Sequence, residues 1–496
     1  MLSRVLSKKV TGIGFLSFSK LRWLSNRFYH SNEIYIENQS SGNESELLND
    51  SKYKNYIREI CQIPDAGHQL FVIQPDIKSG ARRSKWSTAE LRLQETCSLV
   101  ETLPMWRVVG KKIVTAKRPG TAYIFGSGTF KVLTSMICSS RNVSAVLLSI
   151  DMLSRQQLEM LQKAWGVPVF DRYTIVLQIF KDHARTKESK LQIALAEIPF
   201  LRNRLNQFQD GQHDQQVGGA QLAGGAGQTY LHSRRLILQD REMKLRKALS
   251  KLENQRSLLR KERLKRKISS IAVVGYTNSG KTTLIKALTG DSKLEPKDCL
   301  FATLDVTAHA GKLPNNMTAL FMDTVGFISD IPTNLIDAFS ATLEDAVIAD
   351  VIVHVRDISH PDTESQKRNV LQTLSTMLPA DKLPNIIEVC NKIDLCSSDI
   401  SIEETSSIFI SATSGRGLLQ LRHEIQHRLI QATGQLKKKF KIPNGGPHLS
   451  WLYKEATVCG VEPHEDVEYL IVDTVISVSA YSKFKSYFSN SKYKDS

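Results

Sequence analysis

Leucine recurs at every seventh position through Leu231, Leu238, Leu245, Leu252 and Leu259. Such a repeat marks one seam of a coiled coil, so a long helix is expected here. Upstream, Leu191, Ala194, Ile198, Leu201 and Leu205 supply a matching stripe. The remaining core positions of the ladder are mostly polar. The seam is therefore narrow, which suits an antiparallel hairpin over residues 176–267 better than a free zipper. Pro199 should kink the first of its two helices. Between them, the glycine-rich runs 216–220 and 224–227 cannot build a core and read as a flexible tip.

Elsewhere the apolar residues come in short runs bounded by turn residues, the pattern of buried strands. In residues 56–175 the runs 69–73, 145–150 and 167–170 read as strands. Segments 87–101 and 154–165 read as helices between them, making a separate α/β unit. Residues 123–128 read as a strand running into a glycine turn at Gly126 and Gly128. Residues 268–433 hold further strand-like runs at 271–274, 318–322, 385–390 and 407–410. Residues 446–490 read as a small α+β domain with strands at 451–453, 467–472 and 475–478 and a closing helix at 481–488.

The chain has 496 residues, of which 41% are hydrophobic, enough for several packed cores. It contains no apolar run long enough to cross a membrane as a helix. Seven cysteines are scattered without any C-x-x-C pair. That usage fits a reducing compartment and argues against zinc or a disulfide framework. The formal charge is +16, which suggests an anionic partner. Residues 234–267 carry fourteen basic and four acidic residues, an excess of ten positive charges on one stalk. Nucleic-acid contact is the expectation for it. Residues 1–32 hold Arg4, Lys8, Lys9, Lys20, Arg22 and Arg27, several serines, and no acid before Glu33. This is the composition of a mitochondrial transit peptide. Residues 33–55 read as a flexible linker.

The chemistry is concentrated after the run 271–274. Gly275, Tyr276, Thr277, Asn278, Ser279, Gly280, Lys281 and Thr282 form a phosphate-binding loop, with Thr283 opening the following helix. A strand feeding glycines into a helix N-terminus points backbone N–H groups at phosphate. Lys281 can reach the β- and γ-phosphates, and the Thr282 hydroxyl can bind Mg²⁺. Asp323, Thr324, Val325 and Gly326 follow the next strand-like run. A carboxylate there can hold Mg²⁺ through water, and the glycine lets the backbone approach a γ-phosphate. Asn391, Lys392 and Asp394 follow another such run. The Asp394 carboxylate can accept two hydrogen bonds from the N–H edge of guanine, a donor pair that adenine lacks. The Lys392 stem can pack on the base. Ser411 and Ala412, with Thr413 beside them, can cap the guanine O6. Phe327 stands where many GTPases place a glutamine to orient water, and it cannot do so by hydrogen bonding. Slow intrinsic hydrolysis is expected. Asn278 occupies a position that holds potassium in some GTPases without that glutamine, which makes K⁺ a candidate cofactor beside GTP and Mg²⁺.

With these residues the chain resembles an HflX-type GTPase of the mitochondrial branch, from about residue 68 to the C-terminus. The resemblance is carried by 171–174 (DRYT), 183–186 (HART), 190–192 (KLQ), the phosphate loop, Phe301-Ala302-Thr303-Leu304-Asp305 and 323–327 (DTVGF). It implies that Thr303 is the switch I threonine closing on Mg²⁺ and the γ-phosphate, and that Lys281, Thr303 and Gly326 form the catalytic set. Phe301, Ala302, Leu304 and Asp305 are implied to line the nucleotide site. It implies a monomeric partner of the large mitochondrial ribosomal subunit and its rRNA, one that splits or recycles ribosomes and assists subunit assembly. The chain departs from the family at 223–230, where the loop's arginine, proline and glutamate are missing, and at Thr129, where a lysine is usual. The fold expected is α/β: a P-loop GTPase domain preceded by a smaller α/β domain and a long antiparallel helical hairpin, with a small α+β C-terminal domain. The alternative function is a GTP-dependent switch that recruits a protein effector through the hairpin. A role in tRNA modification has no accompanying domain.

Overall fold

The computed structural model describes residues 53, 67–77, 87–116, 124–205, 224–265, 268–329, 347–378, 385–396 and 407–488. The expected transit peptide, most of the linker and the 216–220 run lie outside the described residues.

The first domain is a parallel sheet in the order β2-β1-β3-β4, made of β1 (Gln69–Ile77), β2 (Arg107–Ala116), β3 (Ala145–Leu148) and β4 (Val169–Asp171). Helices α1 (Ala89–Thr102), α2 (Ser127–Ser139) and α3 (Arg155–Trp165) are its crossovers. The strand β2 is missing from the sequence reading because it is an edge strand, where Arg107, Lys111 and Lys112 interrupt any apolar run. Ile124 and Phe125 do not form the expected strand. They are buried in a bend, and Gly126 caps α2.

Residues 176–267 hold more than two helices. Helix α4 (Arg172–His183) starts at Asp171, whose carboxylate accepts from the Thr174 N–H at 2.9 Å and caps it. The hairpin follows as α5 (Lys187–Leu205), with Pro199 inside it, and α6 (Gly224–Lys265). Its antiparallel register is pinned by Arg256–Glu188 at 2.6 Å and Arg202–Glu242 at 2.5 Å. Leu191, Ala194, Ile198 and Leu201 meet Leu238, Leu245, Ala248 and Leu249 in one core. The run 224–227 stands in the first turn of α6 rather than in the loop. Tyr53, expected in a flexible linker, is buried against the hairpin: its hydroxyl donates to Glu197 at 3.2 Å, and the Arg241 guanidinium lies 3.4 Å from its ring centroid.

The GTPase domain is a sheet in the order β10-β9-β8-β5-β7-β6. Its strands are β5 (Ser269–Gly275), β6 (Thr307–Lys312), β7 (Thr318–Asp323), β8 (Val351–Asp357), β9 (Ile386–Asn391) and β10 (Ile408–Phe409). Only β6 is antiparallel to its neighbour. Helices α7 (Lys281–Thr289), α8 (Thr363–Met377) and α9 (Leu418–Ala432) cover it. The C-terminal domain begins at residue 435, earlier than the expected 446. It is an antiparallel sheet β11-β13-β12, from β11 (Gln435–Pro443), β12 (Thr457–Pro463) and β13 (Tyr469–Ser477), packed by α10 (Pro447–Glu455) and α11 (Val478–Phe488). The expected strand 451–453 is part of α10, which Pro447 opens at a position suited to its missing N–H. The two strands expected across 467–478 are the single β13. No helix among the described residues is long and apolar enough to cross a membrane.

Candidate functional site

The parallel strands β5, β7 and β9 end at Gly275, Asp323 and Asn391, so all three functional loops leave the same sheet edge. Gly275 touches β8 so closely that a Cβ there would lie 2.3 Å from the Val355 carbonyl oxygen. The loop then turns through Asn278 at φ 58° and Gly280 at φ 90° into α7. Thr283 sits half-buried in the first turn of that helix. Lys281 is buried, and its amino group donates to Tyr276 O at 2.9 Å and Gly275 O at 3.3 Å. Burial pushes its pKa down to about 8, against the opposing pull of Asp323. The Thr277 and Ser279 hydroxyls are buried without protein partners.

Thr282, Thr303 and Asp323 converge. The Thr282 hydroxyl donates to Asp323 Oδ2 at 2.7 Å, the Thr303 hydroxyl donates to the same oxygen at 3.1 Å, and the two hydroxyls lie 3.0 Å apart. Asp323 Oδ1 is buried and has no partner. Burial raises the carboxyl's pKa, and the two threonines and Lys281 oppose it. An orphaned carboxylate oxygen beside two hydroxyls is a hard-oxygen donor set of the kind magnesium takes.

Not every residue of switch I joins this cluster. Phe301, at φ 54°, packs edge-to-face on Phe180 with centroids 4.7 Å apart, and its carbonyl lies 2.8 Å from His183 Nδ1. Leu304 is buried, and Ala302 is exposed. Asp305 accepts from Arg185 N at 3.1 Å, Thr186 N at 3.3 Å, Thr186 Oγ1 at 2.7 Å and Ser189 Oγ. Phe301 and Asp305 therefore turn their side chains toward α4 and the base of the hairpin. Apolar Phe301 gains more by packing on Phe180 of α4 than by facing a polar cleft.

Switch II lies across the phosphate loop. Phe327 N donates to Gly275 O at 3.0 Å, and Thr277 N donates to Phe327 O at 2.7 Å. The Thr324 hydroxyl donates to Val273 O at 2.8 Å, and Val325 packs beneath. Gly326 is pressed so close that an added Cβ would sit 2.9 Å from Thr277 Cα and 3.1 Å from Lys281 Nζ. The Phe327 ring is buried in the core. Sequence reading missed the next junction. Ser329 N donates to the Tyr276 hydroxyl at 2.7 Å, Asn369 Nδ2 donates to Ser329 Oγ at 2.9 Å, and the Tyr276 hydroxyl donates to Glu95. Arg172, buried, pairs with Glu95 at 3.1 Å and donates to Ser329 O at 3.0 Å. Of this junction only Arg172, within the DRYT run, lay in a segment that the sequence singled out.

The base-binding loops are tied to the phosphate loop. Asn391 Nδ2 donates to Ser279 O at 3.0 Å, while Asn391 Oδ1 accepts from Ala412 N at 3.0 Å. Lys392, at φ 68°, pairs with Asp357 at 2.7 Å. Asp394 is exposed, and the Ser411 hydroxyl holds its carboxyl below the usual range. Ser411 Oγ and Thr413 Oγ1 lie 3.0 Å apart beside it.

Three family models match in chain order: "GTP-binding GTPase N-terminal" over residues 90–181, "GTP-binding GTPase Middle Region" over 183–263 and "50S ribosome-binding GTPase" over 270–392. The chain is 46% identical over 422 residues to the putative GTP-binding protein 6 of Xenopus laevis, covering 85% of this chain and 80% of that protein. It is 32% identical over 430 residues to the GTPase HflX of Magnetococcus marinus, covering 85% of this chain and 95% of that one. A GTP-binding protein from Sulfolobus solfataricus, solved with GDP, aligns at 24% identity with a TM-score of 0.39, covering 74% of this chain and 99% of that one. The chain binds and hydrolyses GTP, and it belongs to the HflX family of GTPases.

Proposed function

We propose that this GTPase acts on the large subunit of the mitochondrial ribosome, splitting or recycling ribosomes and assisting late subunit assembly. One observation carries the reading: Asp305 of switch I is bonded to Arg185 and Thr186, the residues that lead into the first helix of the basic hairpin. The element that senses the γ-phosphate is thereby joined to the element with the charge for rRNA. The chain's match to a 50S ribosome-binding model supports the partner, and the basic, acid-free residues 1–32 support the mitochondrial matrix. In this reading Lys281, Thr303 and Gly326 contact the phosphates, and Asp394 reads guanine. Thr282, Thr303 and Asp323 would hold Mg²⁺, which neutralises charge developing between the β- and γ-phosphates. Hydrolysis is slow until the ribosome orders the switches, because Phe327 leaves water unoriented. Asn278, by its position in the phosphate loop, is the residue that would answer to potassium; its Nδ2 donates to Asp298 Oδ1 at 2.7 Å. Equal rates in sodium and potassium buffers would remove that element.

The test is sedimentation of mitochondrial ribosomes with the protein and GTP or a non-hydrolysable analogue. Conversion of monosomes to subunits, with the protein on the large one, is the expected result. Binding to free large subunits with monosomes intact leaves assembly as the role. Absence from both overturns the reading. Exposed Leu236, Ile237 and Met243 on the hairpin favour the second reading, a protein effector. Charge reversal at Lys247, Lys251, Arg260 and Arg263 separates the two. It abolishes salt-sensitive ribosome binding in the first and spares effector binding in the second. Arg256 is left intact because it pairs with Glu188 and holds the hairpin register.

A further inference from the structure

We propose that the lysine-lined edge of the C-terminal domain is a second RNA-binding surface, one that takes the phosphodiester backbone of an unpaired strand. It rests on the ribosomal reading only for the source of the RNA. The strand β11 is an edge strand of its sheet. Phe440 and Ile442 enter the core beneath α10 and α11, so Lys437, Lys439 and Lys441 alternate onto the opposite face. Alternate residues of a strand stand about 7 Å apart, a spacing suited to successive phosphates of an extended polyanion. Around the edge, Lys438 and Lys485 flank the Tyr481 ring at 5.7 and 4.7 Å, and Lys441 lies 4.7 Å from the centre of Tyr469. Lysines interleaved with tyrosine rings combine phosphate pairing with base stacking.

The counter-charges are weak. Asp466 lies 4.0 Å from Lys441 in an exposed pair, and Asp473, half-buried, lies 3.4 Å from the exposed Lys439 at a distance longer than a hydrogen bond. Lys437 and Lys438 have no carboxylate partner among the described residues. Edge-strand lysines also oppose strand-on-strand pairing. That effect disfavours an added peptide strand as the occupant, and it does not account for Tyr469 beside Lys441.

The experiment uses the full chain and measures binding to a fluorescent single-stranded oligouridylate across a salt series. Two variants are compared, K437E/K439E/K441E and the milder K437Q/K439Q/K441Q, each checked for thermal unfolding and RNA-free GTP hydrolysis. The charge reversal should weaken binding at least tenfold, and the glutamine variant should weaken it less. Three lost phosphate contacts should flatten the log–log salt slope by about 2. Unchanged affinity and slope overturn the proposal. Self-association of the variants with RNA binding intact also overturns it, because the lysines would then only guard the edge. Competition by polyglutamate as strong as that by RNA would reassign the surface to an acidic protein. The hairpin charge-reversal variant, run beside these, tells the two readings apart. Loss of ribosome sedimentation on hairpin reversal alone, with oligouridylate binding indifferent to the C-terminal lysines, defeats this proposal and leaves the ribosomal one standing.

Discussion

The Thr186 hydroxyl donates to Asp305 Oδ1 at 2.7 Å, a bond that runs from switch I to the residue before the hairpin's first helix. Asp305 also accepts two backbone N–H groups, from Arg185 and Thr186, and so acts as a helix cap supplied by another domain. Movement of switch I must either carry the base of the hairpin with it or break these bonds. Asp305→Ala should cost about 2 kcal/mol, as loss of a cap with partners left unpaired. GDP affinity should hardly change, since the side chain faces away from the phosphate loop. Hydrogen exchange is the measurement: amides of residues 185–191 should lose protection selectively. Protection equal to wild type would mean that the hairpin base is held without switch I.

Gly280 couples the phosphate and base halves of the site. It adopts φ 90°, and a Cβ there would sit 2.4 Å from Asn391 Nδ2. That same nitrogen bonds Ser279 O, while the other end of the amide holds Ala412 N. Gly280→Ala adds about 1–2 kcal/mol of left-handed backbone strain and pushes Asn391 from its bonds. Nucleotide affinity should fall by tenfold or more, as read by GDP titration, with the base and phosphate contacts weakened together. A variant that binds GDP normally would show that the two loops are not rigidly linked.

The strands ending in Gly275, Asp323 and Asn391 were legible because each is apolar and followed by a motif whose residue types have few other uses. The hairpin was legible because its leucine period is long. What escaped reading depends on neighbours far away in the chain. The strands β2 and β11 hide behind lysines because they are edges, and the two halves of β13 look like separate strands because Asp473 interrupts the apolar run. Trp451 and Leu452 read as a strand until Pro447 is seen to start a helix. Asp305 looked like a nucleotide residue because it adjoins Thr303. Only the fold shows that its carboxylate faces Thr186, 119 positions away. The Tyr276–Glu95 contact spans 181 positions and has no local sequence signal.

His354 gives the GTPase domain an acid-labile point. It lies on β8 with 1% exposure, and burial pushes its pKa down to about 4 while Glu388 opposes. The folded state therefore binds fewer protons than the unfolded one between about pH 6.5 and 4. The histidine costs nothing above that window, and stability is lost as pH falls through it, by about 3 kcal/mol in all. Urea unfolding from pH 7 to 4 should show a shallower loss for His354→Leu than for the native chain. Parallel curves would mean that the imidazole stays solvated enough to titrate normally.

In the proposed reading Asp394 is the residue that selects the base. Its carboxylate is exposed, and the Ser411 hydroxyl holds it ionised, so it presents two acceptor oxygens to a base edge. Guanine offers two N–H donors there. Xanthine replaces the amino group with a carbonyl oxygen and offers one donor and one acceptor. Asp394→Asn converts one acceptor of the side chain into an NH₂ donor, which matches xanthine and mismatches guanine. Losing two charge-assisted bonds, each worth about 1.5–3 kcal/mol, should weaken GTP binding by at least a hundredfold. Binding of xanthosine triphosphate should rise in the same variant, which a collapsed site could not produce. Competition titrations with the two nucleotides give the answer. If the variant loses GTP without gaining the xanthine nucleotide, Asp394 supports the loop around Ser411 and another group reads the base.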